Sequence, residues 1–203
     1  MATRTPDIGS DDSASADADT RLIDAALVCI ARWGVTKTTL DDVARQAGCS
    51  RATVYRAFPG GKDALFLAVA ASEIERLARA VGRAVYDAAD LEHAVVAAIT
   101  TTARALDDHD AFRYLMAHEP GVILSHLAFA ELDALLVVAA ARTGPSFARF
   151  LGSNVEAQRL AEWATRIVIS HTCSPSSGVH LADDASVRRL VRAFVLPGLL
   201  VAT

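Results

Sequence analysis

The sequence predicts an all-α protein of some nine helices. Three observations carry that prediction. Alanine and leucine dominate a chain that is 52% hydrophobic, with only 6 Pro and 11 Gly in 203 residues, and this composition favours long helices over sheet. Apolar residues recur at three- and four-residue intervals through most of the chain, the spacing of one helix face. No stretch carries the two-residue alternation of a half-buried strand, and there is no internal repeat.

Taken in order, "MATRTPDIGSDDSASADAD" is poor in hydrophobics and rich in Asp, Ser and Ala. It buries too little apolar surface to offset its ordering entropy, so residues 1–18 are expected to form a disordered acidic tail. A first helix starts at Asp19 or Thr20, carries Leu22, Ile23, Ala26, Leu27, Ile30 and Trp33 on one side, and ends at Gly34. Thr39 caps "LDDVARQA", whose Asp41 and Asp42 suit the positive end of the helix dipole; Gly48 closes it, and Ser50 caps "RATVYRAF". Pro59-Gly60-Gly61 breaks the chain before a long helix from Asp63 to about Tyr86. Helices follow over 91–106 and 110–118, divided by "DDHD". Pro120-Gly121 makes a break, 122–142 holds one helix or two, and Gly144-Pro145 ends it before a short helix at 147–151. Two amphipathic helices, 154–170 and 183–196, are joined by the loop "HTCSPSSGVHLA".

The net charge of −4 is confined to the start of the chain. Residues 1–19 hold five Asp and one Arg, so the other 184 residues sum to zero. From Arg32 to Lys62 there are six basic residues and two acidic ones, and both lysines of the chain, Lys37 and Lys62, lie there. A basic patch on a neutral body is what phosphate contact needs. Catalysis finds no constellation. "PGGKDAL" lacks a phosphate loop's first glycine, because Arg56 stands there, and Asp63 follows the lysine instead of Ser or Thr. The six histidines include no HExxH and no i, i+4 pair, so no metal and no cofactor are expected. Ser125-His126 and the scattered Asp residues make no recognisable triad. Cys29, Cys49 and Cys173 are too few and too scattered for a disulfide framework or a zinc site. No apolar run is read as long enough to span a bilayer, and the start has no hydrophobic signal core, so a cytoplasmic protein is expected.

The stretch "QAGCSRATVYRAF", Gln46 to Phe58, is the most informative. At 100° per residue, Val54 and Phe58 fall together with Ala57 beside them, and that arc packs inward against Val43, Ala44 and Ala47 of the preceding helix. Tyr55, Ala52 and Arg56 centre the opposite face, with Arg51 and Thr53 at its edges. Only Gly48, Cys49 and Ser50 separate the two short helices, which is the turn of a helix-turn-helix. In such a motif the second helix enters the major groove by its N-terminal residues. Arg reads guanine bidentately, the Thr methyl meets thymine, and Tyr and Lys hold phosphates. The same face on its own also suits an ordinary solvated helix.

The surroundings decide between the two. The window "LIDAALVCIARWGVTKTTLDDVARQAGCSRATVYRAFPGGKDALFLAV", residues 22–69, resembles the N-terminal DNA-binding domain of the TetR (tetracycline-repressor-like) family of bacterial regulators. The matching features are the helix ending in "ARWG", then "TTLDDVARQAG", "SRATVYRAF", and a Lys with an acidic partner before "AL". Three residues, Pro59-Gly60-Gly61, stand where the family usually has two. The resemblance implies that Thr39 touches a backbone phosphate and that Ser50, Arg51, Ala52 and Thr53 lie at the groove floor or wall. It further implies that Tyr55 contacts phosphate, Arg56 a base or phosphate, and Lys62 a phosphate. A DNA-binding domain over 19–66, with its motif at 39–58, would precede a ligand-binding and dimerisation domain over 67–203.

For that second part the resemblance implies a small-molecule site and a homodimer. Leu160, Trp163 and Ile167 make one apolar stripe with Ala164 and Val168, and Val187, Leu190, Val191 and Phe194 make another with Val195. Either stripe alone equally suits the monomer's own core; with the resemblance they suit a four-helix bundle about a twofold axis. The middle helices offer apolar walls with polar groups at Thr102, Arg113, Tyr114, His118 and His126, a lining for a largely apolar ligand. The function expected is a DNA-binding regulator, a repressor of an inverted-repeat operator released by a small apolar effector. The alternatives are a small helical enzyme and an architectural DNA-binding protein that needs no ligand.

Overall fold

The computed structural model describes residues 9–126 and 129–197, with side chains from Asp17 to Ser125 and from Leu132 to Pro197. It is helical throughout: α1 (Gly9–Lys37), α2 (Leu40–Ala47), α3 (Arg51–Ala57), α4 (Gly61–Tyr86), α5 (Leu91–Asp107), α6 (Asp110–His118), α7 (Pro120–His126), α8 (Phe129–Leu151), α9 (Asn154–Cys173) and α10 (Asp184–Leu190). A π-helical turn, Val191–Val195, continues α10. No strand occurs among the described residues.

Several boundaries differ from the sequence expectation, each for a physical reason. α1 begins at Gly9 and so takes up residues 9–18, expected to be unstructured. Its early Asp residues sit near the positive end of the helix dipole, and Ala14, Ala16 and Ala18 are strong helix formers. Gly34 (φ 79, ψ 175) breaks α1 where expected, leaving only a short turn to Lys37. The stretch 122–142 divides into α7 and α8, and Pro120 begins α7, a position where its missing N–H costs nothing. Gly144-Pro145 does not end a helix, because α8 runs through both to Leu151. Gly144 is buried, and a Cβ there would sit 3.0 Å from Gln158 Cγ and 3.2 Å from its Cα. Close packing of α9 on α8 accompanies the continuation of the helix past the proline. α8 also corrects the reading of membrane-scale apolar runs. Its Leu132–Leu151 segment is, by length and composition alone, long and apolar enough to cross a bilayer.

Two apolar cores organise these helices. The first joins Leu22, Ala26, Cys29 and Ile30 of α1 to Leu40, Val43 and Ala44 of α2, Val54 and Phe58 around α3, and Leu65 and Val69 of α4. Ala111 and Leu115 of α6 complete it. Helix α6 thus packs on the head formed by α1–α3 although it lies far along the chain, and α4 runs unbroken through residue 66, where the first domain was expected to end. The second core is built from the later half of α4, from α5, α8, α9 and α10, around Val85, Val95, Ile99, Phe147, Leu160, Val187 and Val191. Beside the second core, Arg149 donates to the carbonyls of Val85, Tyr86 and Ala88. It thereby helps to satisfy the acceptors that the end of α4 leaves open. The three cysteines are unpaired: Cys29 is buried, Cys49 half-buried and Cys173 exposed. Burial, with the nearby Asp42 carboxylate, pushes the Cys29 thiol above its ordinary range.

Candidate nucleic-acid interface

The head is shaped by caps that the local sequence supplies. The Thr39 side chain accepts from the Asp42 N–H at 3.2 Å, and the Asp42 carboxylate accepts from the Thr39 N–H at 3.1 Å. This reciprocal capping box satisfies two donors that the start of α2 would otherwise leave open. The Thr39 hydroxyl also donates to Asp42 at 2.6 Å. Its side-chain bond, followed by the Thr39 backbone bond, holds the Asp42 carboxyl below the ordinary carboxylate range. Gly48 ends α2 in the left-handed conformation (φ 68), which a side chain would disfavour. Ser50 Oγ then accepts from the Thr53 N–H at 3.1 Å and opens α3.

On α3 the inner and outer faces are those read from the sequence. Val54 is fully buried and Phe58 is buried beside it, against Val43 and Ala44. Ser50, Arg51, Ala52, Tyr55 and Arg56 are exposed, and Thr53 is half-buried. Tyr55, at 42% exposed, is an aromatic residue that the core does not claim. Arg51 is held in place: it donates to Asp41 Oδ2 at 3.2 Å and to the Tyr55 hydroxyl at 3.1 Å. Its guanidinium also stands 5.3 Å from the Tyr55 ring centre. Asp41 is a partner that the sequence reading missed. Its signal was weak, an acidic residue on an otherwise basic face ten positions before Arg51. Arg56 has no hydrogen-bonding or charged partner among the described residues and points outward. The face is therefore small, polar and cationic, shaped to meet phosphates and base edges.

Lys62 has a partner that the sequence did not indicate. The extra residue in Pro59-Gly60-Gly61 is absorbed by a turn in which Gly61 takes φ 70 and its N–H reaches the Phe58 carbonyl at 2.8 Å. The lysine is then half-buried, donating from Nζ to the Thr36 carbonyl at 3.2 Å and lying 5.3 Å over the Phe66 ring. In this arrangement one donor of its ammonium ties α4 to the end of α1.

The residues expected to line a ligand chamber are only partly brought together. Arg113, Tyr114 and His118 share α6 and, with Val28, Ala31, Arg32, Asp110 and Ala117, line an open groove of about 540 Å³ between α1 and α6. It is a surface groove because α6 turns Ala111 and Leu115 into the head's core, which leaves these neighbours flanking the seam. Arg113 pairs with Asp110 at 2.5 Å, and the Tyr114 and His118 rings lie 4.6 Å apart. Thr102 lies on α5, away from this groove, with its hydroxyl donating to the Ala98 carbonyl at 2.8 Å. The His126 side chain lies outside the described residues.

The expected dimer stripes divide between the monomer's core and its surface. Leu160, Val187 and Val191 are buried in the monomer's second core, and Trp163 and Ile167 are half-buried against it. Leu190 is half-buried as well, and Phe194 is 77% exposed. A further uncovered apolar stripe lies on α8, where Ala134, Val137, Val138, Ala141 and Pro145 are all exposed. Val137 is 69% and Val138 42% accessible.

Known proteins share this arrangement. Residues 22–69 match the family "Bacterial regulatory proteins, tetR family". Over 180 residues, 87% of this chain and 83% of the relative, the chain is 28% identical to the uncharacterized HTH-type transcriptional regulator Rv1255c of Mycobacterium tuberculosis. Its fold resembles that of the TetR family repressor AlkX from a Dietzia strain, implicated in biodegradation of n-alkanes, with a TM-score of 0.67 and 22% identity over 90% of this chain and 95% of that one. It also resembles SmeT, the repressor of the Stenotrophomonas maltophilia multidrug efflux pump SmeDEF, with a TM-score of 0.56 and 21% identity over 89% and 92% of the two chains.

Proposed function

We propose that the chain is a homodimeric repressor of the tetR family of bacterial regulatory proteins, which reads an inverted-repeat operator in the cytoplasm and leaves it when a small, largely apolar effector binds. One observation carries the reading. On α3 the apolar side is spent on the core through Val54 and Phe58, while Arg51, Ala52, Tyr55 and Arg56 stand outward, outside that core. Arg51, at the first turn, is the base reader, aimed by Asp41 and Tyr55. Ala52 and Thr53 fit against the groove, Ser50 and Thr39 flank it, and Tyr55 and Arg56 take phosphates.

Two heads are needed for an inverted repeat, and the uncovered α8 stripe supports the pairing. Five small or apolar residues at i, i+3, i+4, i+7 and i+11 form one continuous strip on a long helix. A second copy laying the same strip against it would form an isologous interface, with α9 alongside in each protomer. The groove between α1 and α6 is the seat this reading gives the effector. Val28, Ala31 and Ala117 are its apolar walls, and Arg113, Tyr114 and His118 orient the ligand. A molecule there touches the head and the body at once. By favouring one mutual orientation it would release DNA in proportion to its differential affinity for the two states. The test is selection of duplexes from a random pool by the purified protein. Recovery of an inverted repeat, bound by a dimer with an affinity that falls steeply with salt, supports the reading; binding without sequence preference ends it.

A further inference from the structure

The link between α1 and α2 is gripped from an unexpected direction. After Gly34 leaves the helical conformation, the Val35 and Thr36 N–H groups turn out of the helix ladder. Both are met by one carboxylate: Glu119 Oε2 accepts from Val35 at 2.9 Å and from Thr36 at 3.2 Å. Glu119 closes the end of α6, more than eighty residues further along the chain. Only glycine permits the approach, since a Cβ on Gly34 would lie 2.4 Å from Glu119 Oε1, and φ there is +79°. The Thr36 carbonyl, on the other side of the same peptide segment, accepts from Lys62 at the start of α4. Thr38 Oγ1, fully buried, closes the link by donating to the Gly34 carbonyl at 2.6 Å.

Helix α6 is also tied at its other end. His109 meets Glu73 at 3.1 Å, Arg76 joins Glu73 at 2.8 Å, and Arg76 reaches Asp24 of α1 at 2.5 Å. Between the ties, Ala111 and Leu115 fill the head's core. Apolar packing is non-directional and tolerates rotation, whereas two charge-assisted bonds to adjacent peptide N–H groups fix an angle. Thr39, which caps α2, is three residues beyond the gripped segment, so that angle is passed straight to the α2–α3 reader.

We propose that Glu119 is a positioning residue for DNA reading: by holding Val35 and Thr36 it sets the angle of the reader on α6, and through it the separation of the two readers in a dimer. The inference rests on the regulator reading above. Two heads already aligned need not be ordered when they meet an inverted repeat, while a single half-site makes no demand on their mutual angle.

The experiment compares the full-length wild type with Glu119→Ala and Glu119→Gln, on the inverted repeat that the wild type selects and on one of its half-sites. Exchange of the Val35 and Thr36 amides is followed alongside. In Glu119→Ala those amides should exchange faster. Affinity for the inverted repeat should fall about tenfold, with half-site affinity unchanged within about twofold. Glu119→Gln, whose amide oxygen can accept the same two bonds, should recover part of the loss. Equal losses on both duplexes, or no loss on either, overturn the positioning role, as do amides whose exchange does not change. A wild type that selects no duplex overturns the regulator reading itself, and that outcome is distinct because the variants play no part in it.

Discussion

Replacing Arg56 with alanine separates a phosphate-holding side chain from one that merely decorates a surface helix. The side chain is exposed and has no hydrogen-bonding or charged partner among the described residues. Its removal should therefore leave folding stability within about 0.5 kcal/mol of wild type. On DNA the consequence is larger and has a particular signature. Each phosphate contact adds about −0.9 to the slope of log affinity against log salt. A homodimer loses two such contacts, so the slope should become shallower by about 1.8. Across a rise from about 50 to about 200 mM salt, the variant should lose about 12-fold less affinity than the wild type. The assay is a fluorescence anisotropy titration of the selected duplex at several salt concentrations, with a urea melt of each protein as the stability control. An unchanged slope refutes a phosphate contact at Arg56. Lost discrimination at a single base pair with the slope intact would instead make it a base reader, contrary to its place on the last turn of α3.

Val137→Asp puts a charge into the middle of the uncovered α8 stripe; sedimentation should then report a monomer, and a persistent dimer would reject α8 as the interface. Thr39→Ala removes the cap of α2 and should cost about 1 kcal/mol in a urea melt at neutral pH. That cost should shrink in acid. Thr39 holds the folded Asp42 carboxyl below its ordinary range, so the stability from this bond is fully present above the unfolded value and is lost as pH falls through the folded one. A gap between wild type and Thr39→Ala that stays constant on acidification would show that the capping box contributes nothing through ionisation.

What was legible in the sequence is what local chemistry decides. Thr39, Gly48 and Ser50 act on backbone groups within three or four residues of themselves, so the limits of α2 and α3 could be read off directly. The inward turn of Val54 and Phe58 followed from their spacing. Where a residue's partner is distant, the same reading failed. Gly144-Pro145 has the local signature of a helix end, yet Gln158 on α9 packs so closely at Gly144 that α8 continues. Lys62 stands in sequence where the resemblance implies a phosphate contact, and its bond to Thr36, 26 residues earlier, has no local signal.

The dimer stripes make the same point in a form that bears on function. An apolar period states which side of a helix avoids water, not which neighbour covers it. On α9 and α10 the period is clear; the monomer's own core takes Leu160, Val187 and Val191, while Trp163 and Ile167 stay half-buried and Phe194 exposed. On α8 the apolar residues go nearly all round, as a helix with two apolar neighbours requires. α9 and α4 supply one side, and Val137, Val138 and Ala141 remain on the other. Exposed valines in one strip of a helix leave apolar area in water at a cost of about 25 cal/mol per Å². Its removal by a second copy is therefore a source of binding energy, and the exposed Phe194 offers the same kind of surface.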